Sequence, residues 1–150
     1  MIEIKFRAKE MKSGMNAWVY GFYFQADGKH YIIQHEGAAT DCDYPDNIRP
    51  SRYLSDSYYW EIDPDTLGQF TGLKDSKGND IYGGDIVEDK FGRKYVVEYF
   101  RDWGAWMFYM PNDSSTNVLN PLRITAIDNF ELKVVGNKID NPELLEVTSE

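Results

Sequence analysis

A single cysteine, Cys42, stands among 150 residues, so no disulfide can close within the chain. A chain with one thiol suits a reducing compartment. Apolar runs are short, and none approaches the ~20 residues that a membrane-spanning helix needs. Positive charge is sparse and scattered: 16 Lys and Arg stand against 25 Asp and Glu, a formal net charge of −9. Binding to a phosphate backbone rests on concentrated positive charge, so a nucleic-acid reader is disfavoured. The opening Met1-Ile2-Glu3-Ile4-Lys5 carries charge at every second position and has no apolar core. A secretory signal is therefore not expected, and a soluble cytoplasmic protein is.

Aromatic residues, in contrast, are plentiful: 11 Tyr, 8 Phe and 4 Trp. They suit pleated strands and half-exposed contact faces. Ile2, Ile4, Phe6 and Ala8 alternate with Glu3, Lys5 and Arg7, the period of a strand with one buried face. "AWVYGFYF" (residues 17–24) reads as a second strand, and Asp27-Gly28 as a hairpin turn into "KHYIIQH". Residues 36–57 lose all periodicity and read as a long loop. Tyr58 to Ile62 forms a short aromatic strand, followed by Asp63 placed to cap a helical turn that starts at Pro64. From Gly68 the spacing is that of a β-meander, with turns at 74–80, 91–92 and 102–104. A bulge is expected at Gly83-Gly84. Residues 119–127 fit either a helix or a strand, and Asn141-Pro142 predicts a short C-terminal helix with Asn141 as its cap.

The expected fold is mainly β. A small SH3-like or PRC-like barrel covers about 68–137, with N-terminal strands packed on it. The whole chain, 1–150, is read as one domain in two regions, 1–62 and 63–150.

The glycine-laden stretch "GLKDSKGNDIYGGDIVE" (72–88) invites a search for a ligand loop. A phosphate loop needs a different glycine interval, and Asn79 stands where its Lys belongs. A calcium loop starting at Asp75 would place Lys77 and Ile86 at liganding positions. Turn chemistry accounts for the stretch instead: Gly78 supplies a positive φ, Gly83-Gly84 bends the chain at a corner, and Asp85 caps free amides there.

Other constellations are weak. His30 and His35 point to opposite faces of a strand, and Cys42 with Asp41 or Asp43 reaches them only through loop folding. Glu61, Asp63 and Asp65 are dense, but Pro64 argues for capping over paired acid–base catalysis. Ser114 and Ser115 have no partners for a nucleophilic triad. No catalytic residue, metal or cofactor is expected. Tyr58, Tyr59, Trp60, Trp103 and Trp106 remain as a candidate contact surface, shared between core packing and binding of protein.

"GQFTGLKDSKGNDIYGGDIV" (68–87) resembles the central segment of the YopX-like phage proteins, and "IKFRAK", "YYWEIDPDTLGQF" and "LKVVGNKIDNPELL" agree with it elsewhere. Two positions depart: Lys9 stands where such sequences show Trp, and Gly83 where they show Glu. Any function of that Glu in relatives would be missing here. The resemblance implies phage or prophage origin and a bacterial cytoplasmic setting, without implying a reaction. The functional expectation is a non-enzymatic module that binds protein and associates with itself. A second expectation is an acidic decoy resembling DNA, built on Asp41, Asp43, Asp46, Asp56, Glu61, Asp63 and Asp65 but interrupted by Arg49 and Arg52. An enzyme of unrecognised type is the third.

Overall fold

The computed structural model describes residues 3–34, 59–111 and 120–146. The chain divides into two compact units, residues 1–69 and 70–150. Among the described residues it is mainly β, with antiparallel pairing throughout and one short α-helix.

In the first unit, β1 (Phe6–Lys9), β2 (Trp18–Ala26), β3 (Lys29–Ile33) and β4 (Tyr59–Glu61) pair in the order β4-β3-β2-β1. Asp27 and Gly28 both take positive φ, 54° and 74°, as the tight hairpin between β2 and β3 requires. Cross-strand partners share a face. Ala8 lies opposite Val19, Tyr23 opposite Ile32, and Ile32 opposite Trp60. That face holds the core of Ala8, Val19, Ile32 and Ile62, with Phe6, Tyr23, Trp60 and Leu67 packed on it. After β4, Asp63 caps a 3-10 turn (Pro64–Thr66), accepting from the Asp65 amide at 3.0 Å. Thr66 Oγ1 then accepts the Lys9 amide at 2.8 Å and ties the turn to β1.

β5 (Gly68–Lys74) runs across the unit boundary. Gly68 and Gln69 pair with β1, whereas Phe70 and Lys74 pair with β6 (Asp80–Tyr82). In the second unit, β7 (Asp85–Glu88), β8 (Lys94–Phe100), β9 (Ala105–Tyr109), β10 (Asn120–Pro121) and β11 (Lys133–Asn137) form a sheet ordered β10-β9-β8-β7-β11. Its inner face holds Val87, Tyr95, Val97 and Phe108, joined by Ile81, Leu122, Leu132 and Ile127 of helix α1 (Ile124–Phe130). The ambiguous stretch after residue 119 thus contributes both a strand and a helix.

Two expectations are revised. Gly83-Gly84 is a turn at which the chain leaves β6, paired with β5, for β7, paired with β8 and β11. Register shifts lie instead in β5, between Phe70 and Lys74, and in β11, between Val134 and Gly136. Asn141 makes no cap bond to the 3-10 turn that follows it (Pro142–Leu145), because its side-chain oxygen accepts the Asn137 amide at 3.2 Å. Among the described residues no pairing joins β10 to β11, so the second sheet is open there.

Gly21 leaves no room for a side chain. A Cβ there would lie 2.0 Å from the Ile33 carbonyl oxygen and 2.8 Å from its carbon, both backbone atoms that cannot swing aside. Gly21→Ala is expected to cost at least about 3 kcal/mol. Chemical denaturation of the variant, with a matched Gly14→Ala control at a site with open space, checks this.

Candidate functional site

The glycine-rich stretch folds around one carboxylate. Asp75 is buried, and its Oδ1 accepts the amides of Lys77 (2.9 Å) and Asn79 (2.8 Å). Its Oδ2 accepts the Val134 amide of β11 at 2.9 Å and the Asn79 side chain at 3.3 Å. Gly78 takes φ 88° and donates to the Asp75 carbonyl, so the amides that a bound phosphate would need are engaged within the turn. Ser76 donates to the Leu132 carbonyl at 2.9 Å, a second tie between this turn and the approach to β11. At the next corner Asp85, also buried, accepts the Tyr82 amide at 2.7 Å, the capping role expected of it.

The same device recurs. Asp89, fully buried, accepts the Phe91 and Arg93 amides, Arg93 Nε at 2.8 Å and the Tyr95 hydroxyl at 2.9 Å. In the first unit, Glu10 accepts the Lys12 and Ser13 amides and the Ser13 hydroxyl. Burial alone would raise all three carboxyls. For Asp75 the amides of Val134, Asn79 and Lys77 outweigh burial, and for Asp89 and Glu10 their own donors do, so each lies below its ordinary value.

The aromatic candidates divide by face. Tyr58 lies outside the described residues. Trp60 turns into the first core, opposite Ile32, while Tyr59 points the other way and is 60% exposed. Tyr59 meets Tyr31 edge-on at 5.7 Å, and Tyr31 stacks on Phe24 at 5.0 Å. Phe22, opposite Ile33, is 52% exposed on this same face. Arg7 and Lys9 sit over Trp18 at 4.7 and 4.9 Å from its ring centre, also on this face. In the second unit, Trp103 at the β8–β9 turn is 68% exposed, and Trp106 packs partly on the core, edge-on to exposed Tyr99 at 5.5 Å. Tyr59 and Trp60 therefore belong to one unit, Trp103 and Trp106 to the other.

Phe22, Phe24, Tyr31 and Tyr99 escaped the sequence reading. The alternation Trp18, Tyr20, Phe22, Phe24 carried the signal, since residues two apart share a face.

The remaining candidates hold structural roles or lie elsewhere. His30 Nδ1 is 2.5 Å from the Tyr23 hydroxyl, with the rings stacked. Glu61 pairs with Lys29 at 3.7 Å, and Asp63 is a cap. His35, Asp41, Cys42, Asp43, Asp46, Arg49, Arg52, Asp56, Ser114 and Ser115 lie outside the described residues. Among the described residues, no three His, Cys, Asp or Glu side chains converge as metal ligands, and no helix is long and apolar enough to cross a membrane. Tyr109 is pushed up to about 12 by burial and by the hydrogen bond it donates to Glu98.

These features define a mainly β protein whose conspicuous exposed chemistry is aromatic. The family described as YopX protein matches residues 5–146, and the chain belongs to that family. Among solved structures it is similar to protein EF1440 from Enterococcus faecalis, at 20% identity and a TM-score of 0.53, covering 97% of this chain and 100% of the other. That likeness concerns the fold alone. No curated protein matches the chain.

Asp75→Ala would leave the Val134, Lys77 and Asn79 amides without their acceptor, and a loss of about 3 kcal/mol is expected in urea unfolding. The depressed carboxyls also set an acid limit. Their folded values lie below the ordinary 3.8 of Asp and 4.5 of Glu, so their stabilisation is complete above that range and is lost as pH falls through the folded values. The melting temperature should drop on acidification below about pH 4, and less steeply in Asp75→Asn than in the wild type.

Proposed function

We propose that this chain is a non-enzymatic β module that binds protein, itself included, and that it acts in the cytoplasm of a bacterium as a phage- or prophage-encoded protein. The observation that carries the reading is the aromatic face of β2, β3 and β4, where Phe22 and Tyr59 stand more than half exposed beside Phe24 and Tyr31. Exposed aromatic clusters mark contact sites, because such rings lose little conformational freedom on docking and bury much apolar area. In the second unit Tyr99 and Trp103 add further exposed rings, with Trp106 edge-on to Tyr99.

An SH3-like barrel over about 68–137 belongs to this reading. It is supported by the order of the second sheet, in which the last strand, β11, returns beside the first, β7, after the single helix. The non-enzymatic reading is supported by the engagement of Glu10, Asp75 and Asp89 with turn amides. The partner is taken as protein rather than nucleic acid because the chain is acidic overall.

Light scattering coupled to size exclusion, over a range of concentrations, tests the proposal. The wild type is expected to self-associate, and Tyr59→Ser with Phe22→Ser to weaken association by about 10-fold or more, as for central contact residues. A strictly monomeric wild type that captures no protein from bacterial lysate would sink it.

A further inference from the structure

The two units repeat one plan. In each, five strands lie in the order fourth-third-second-first-fifth, β4-β3-β2-β1-β5 and β10-β9-β8-β7-β11, with a helical turn before the fifth. A buried acid directly follows the first strand in both, Glu10 after β1 and Asp89 after β7, and each gathers amides of the turn it opens. Two positions before the acid stand Ala8 and Val87, core residues paired with the core residues Val19 and Tyr95. Three positions before it stand Arg7 and Ile86, each opposite a glycine of the fifth strand, Gly68 and Gly136. The plan thus recurs in register as well as in order.

Corresponding outer faces follow from that register. Counting along β2 and β8 from Val19 and Tyr95, Phe22 falls where Glu98 stands, and their cross-strand partners are Ile33 and Met107. In the second unit the chain itself lies over this face. After Gly136 it doubles back: Asn141 Oδ1 lies 2.6 Å from where a Gly136 Cβ would stand, and Lys138 Nζ donates to Glu98 Oε1 at 2.6 Å. The 3-10 turn Pro142–Leu145 then packs on β8, an interior strand that only a segment lying over the sheet can reach. Leu144 and Leu145 are half-buried, and Val96 and Met107 of the face are 2% exposed. In the first unit the chain instead continues past Gly68 into pairing with β6. Phe22 is 52% exposed there, and Tyr59, which flanks Ile33 from β4, is 60% exposed.

We infer that the outer face of β2, β3 and β4 is a seat for a short segment of a partner protein with the chemistry of residues 142–146, adjacent leucines between carboxylates. The inference rests on the reading of this face as a protein-binding surface and names what it takes. The second unit supplies the template, because a segment of this kind lies on the corresponding strand. Phe22 in the place of Glu98 makes the first seat more apolar, which suits leucine side chains. Charge selects the flanks. Within β1 to β4, register places Arg7, Lys9 and Lys29 on this face against Glu61 alone, whereas Glu98 of the second face receives a lysine. Opposite charges across a rim steer docking and fix its direction.

Titration of the nitrogen-15-labelled full chain with a synthetic peptide of the sequence of residues 141–146, followed by amide NMR shifts, tests this. Saturable shifts are expected in β2 and β3, around Phe22 and Ile33. Phe22→Ser with Tyr59→Ser should weaken binding by about 10-fold or more, and serine in place of both peptide leucines should abolish it. Lysine in place of both peptide glutamates should weaken it, and a lysine peptide that binds as well overturns the acidic flanks. Shifts confined to β8 and β9, or binding unchanged by the Phe22 and Tyr59 substitutions, overturn the seat. No binding by a wild type whose self-association those substitutions weaken overturns the seat and leaves the protein-binding reading standing. No binding by a strictly monomeric wild type that captures no protein overturns both.

Discussion

The Asp75 carboxylate is the contact on which the second unit turns. One side chain gathers two amides of its own turn, the Asn79 side chain and the Val134 amide from β11. The β5–β6 hairpin and the closing strand are therefore joined through this anion and the Ser76–Leu132 backbone bond beside it. Ionisation is required, because only the charged carboxylate accepts from every side, and amides of the backbone and of Asn79 compensate its burial. Glu10 repeats the solution at another turn, and Asp89 does so with the Arg93 guanidinium added, so these bends are organised by acids.

The local half of this design was legible in the sequence. Asp27-Gly28, Asp63-Pro64 and Lys77-Gly78-Asn79 each announced a turn, because the φ angles and caps involved are set by residues within a few positions. The mainly β character followed from alternation and spacing. What remained hidden is long in sequence and short in space. Asp75 was weighed only as a cation ligand, since its decisive partner lies 59 positions further along. Asn141 read as a helix cap because Asn-Pro commonly is one, yet its true neighbours are Gly136 and Asn137.

The aromatic surface was half legible for a related reason. Tyr59 and Trp60 are adjacent in sequence and must face opposite ways, but which faces the core depends on register with β3. The sequence treated them alike. Register also assembles Phe22, Phe24 and Tyr31 beside Tyr59, a grouping invisible until β2, β3 and β4 are aligned.

The inward acids change how the protein's charge should be weighed. Glu10, Asp75, Asp85 and Asp89 are all buried, so part of the formal −9 never meets solvent as bare carboxylate. Their fields are partly cancelled at source by the amide dipoles aimed at them. A visiting macromolecule would therefore feel a milder envelope than titration arithmetic implies, and a column that separates by surface charge should retain the native molecule less than its unfolded chain.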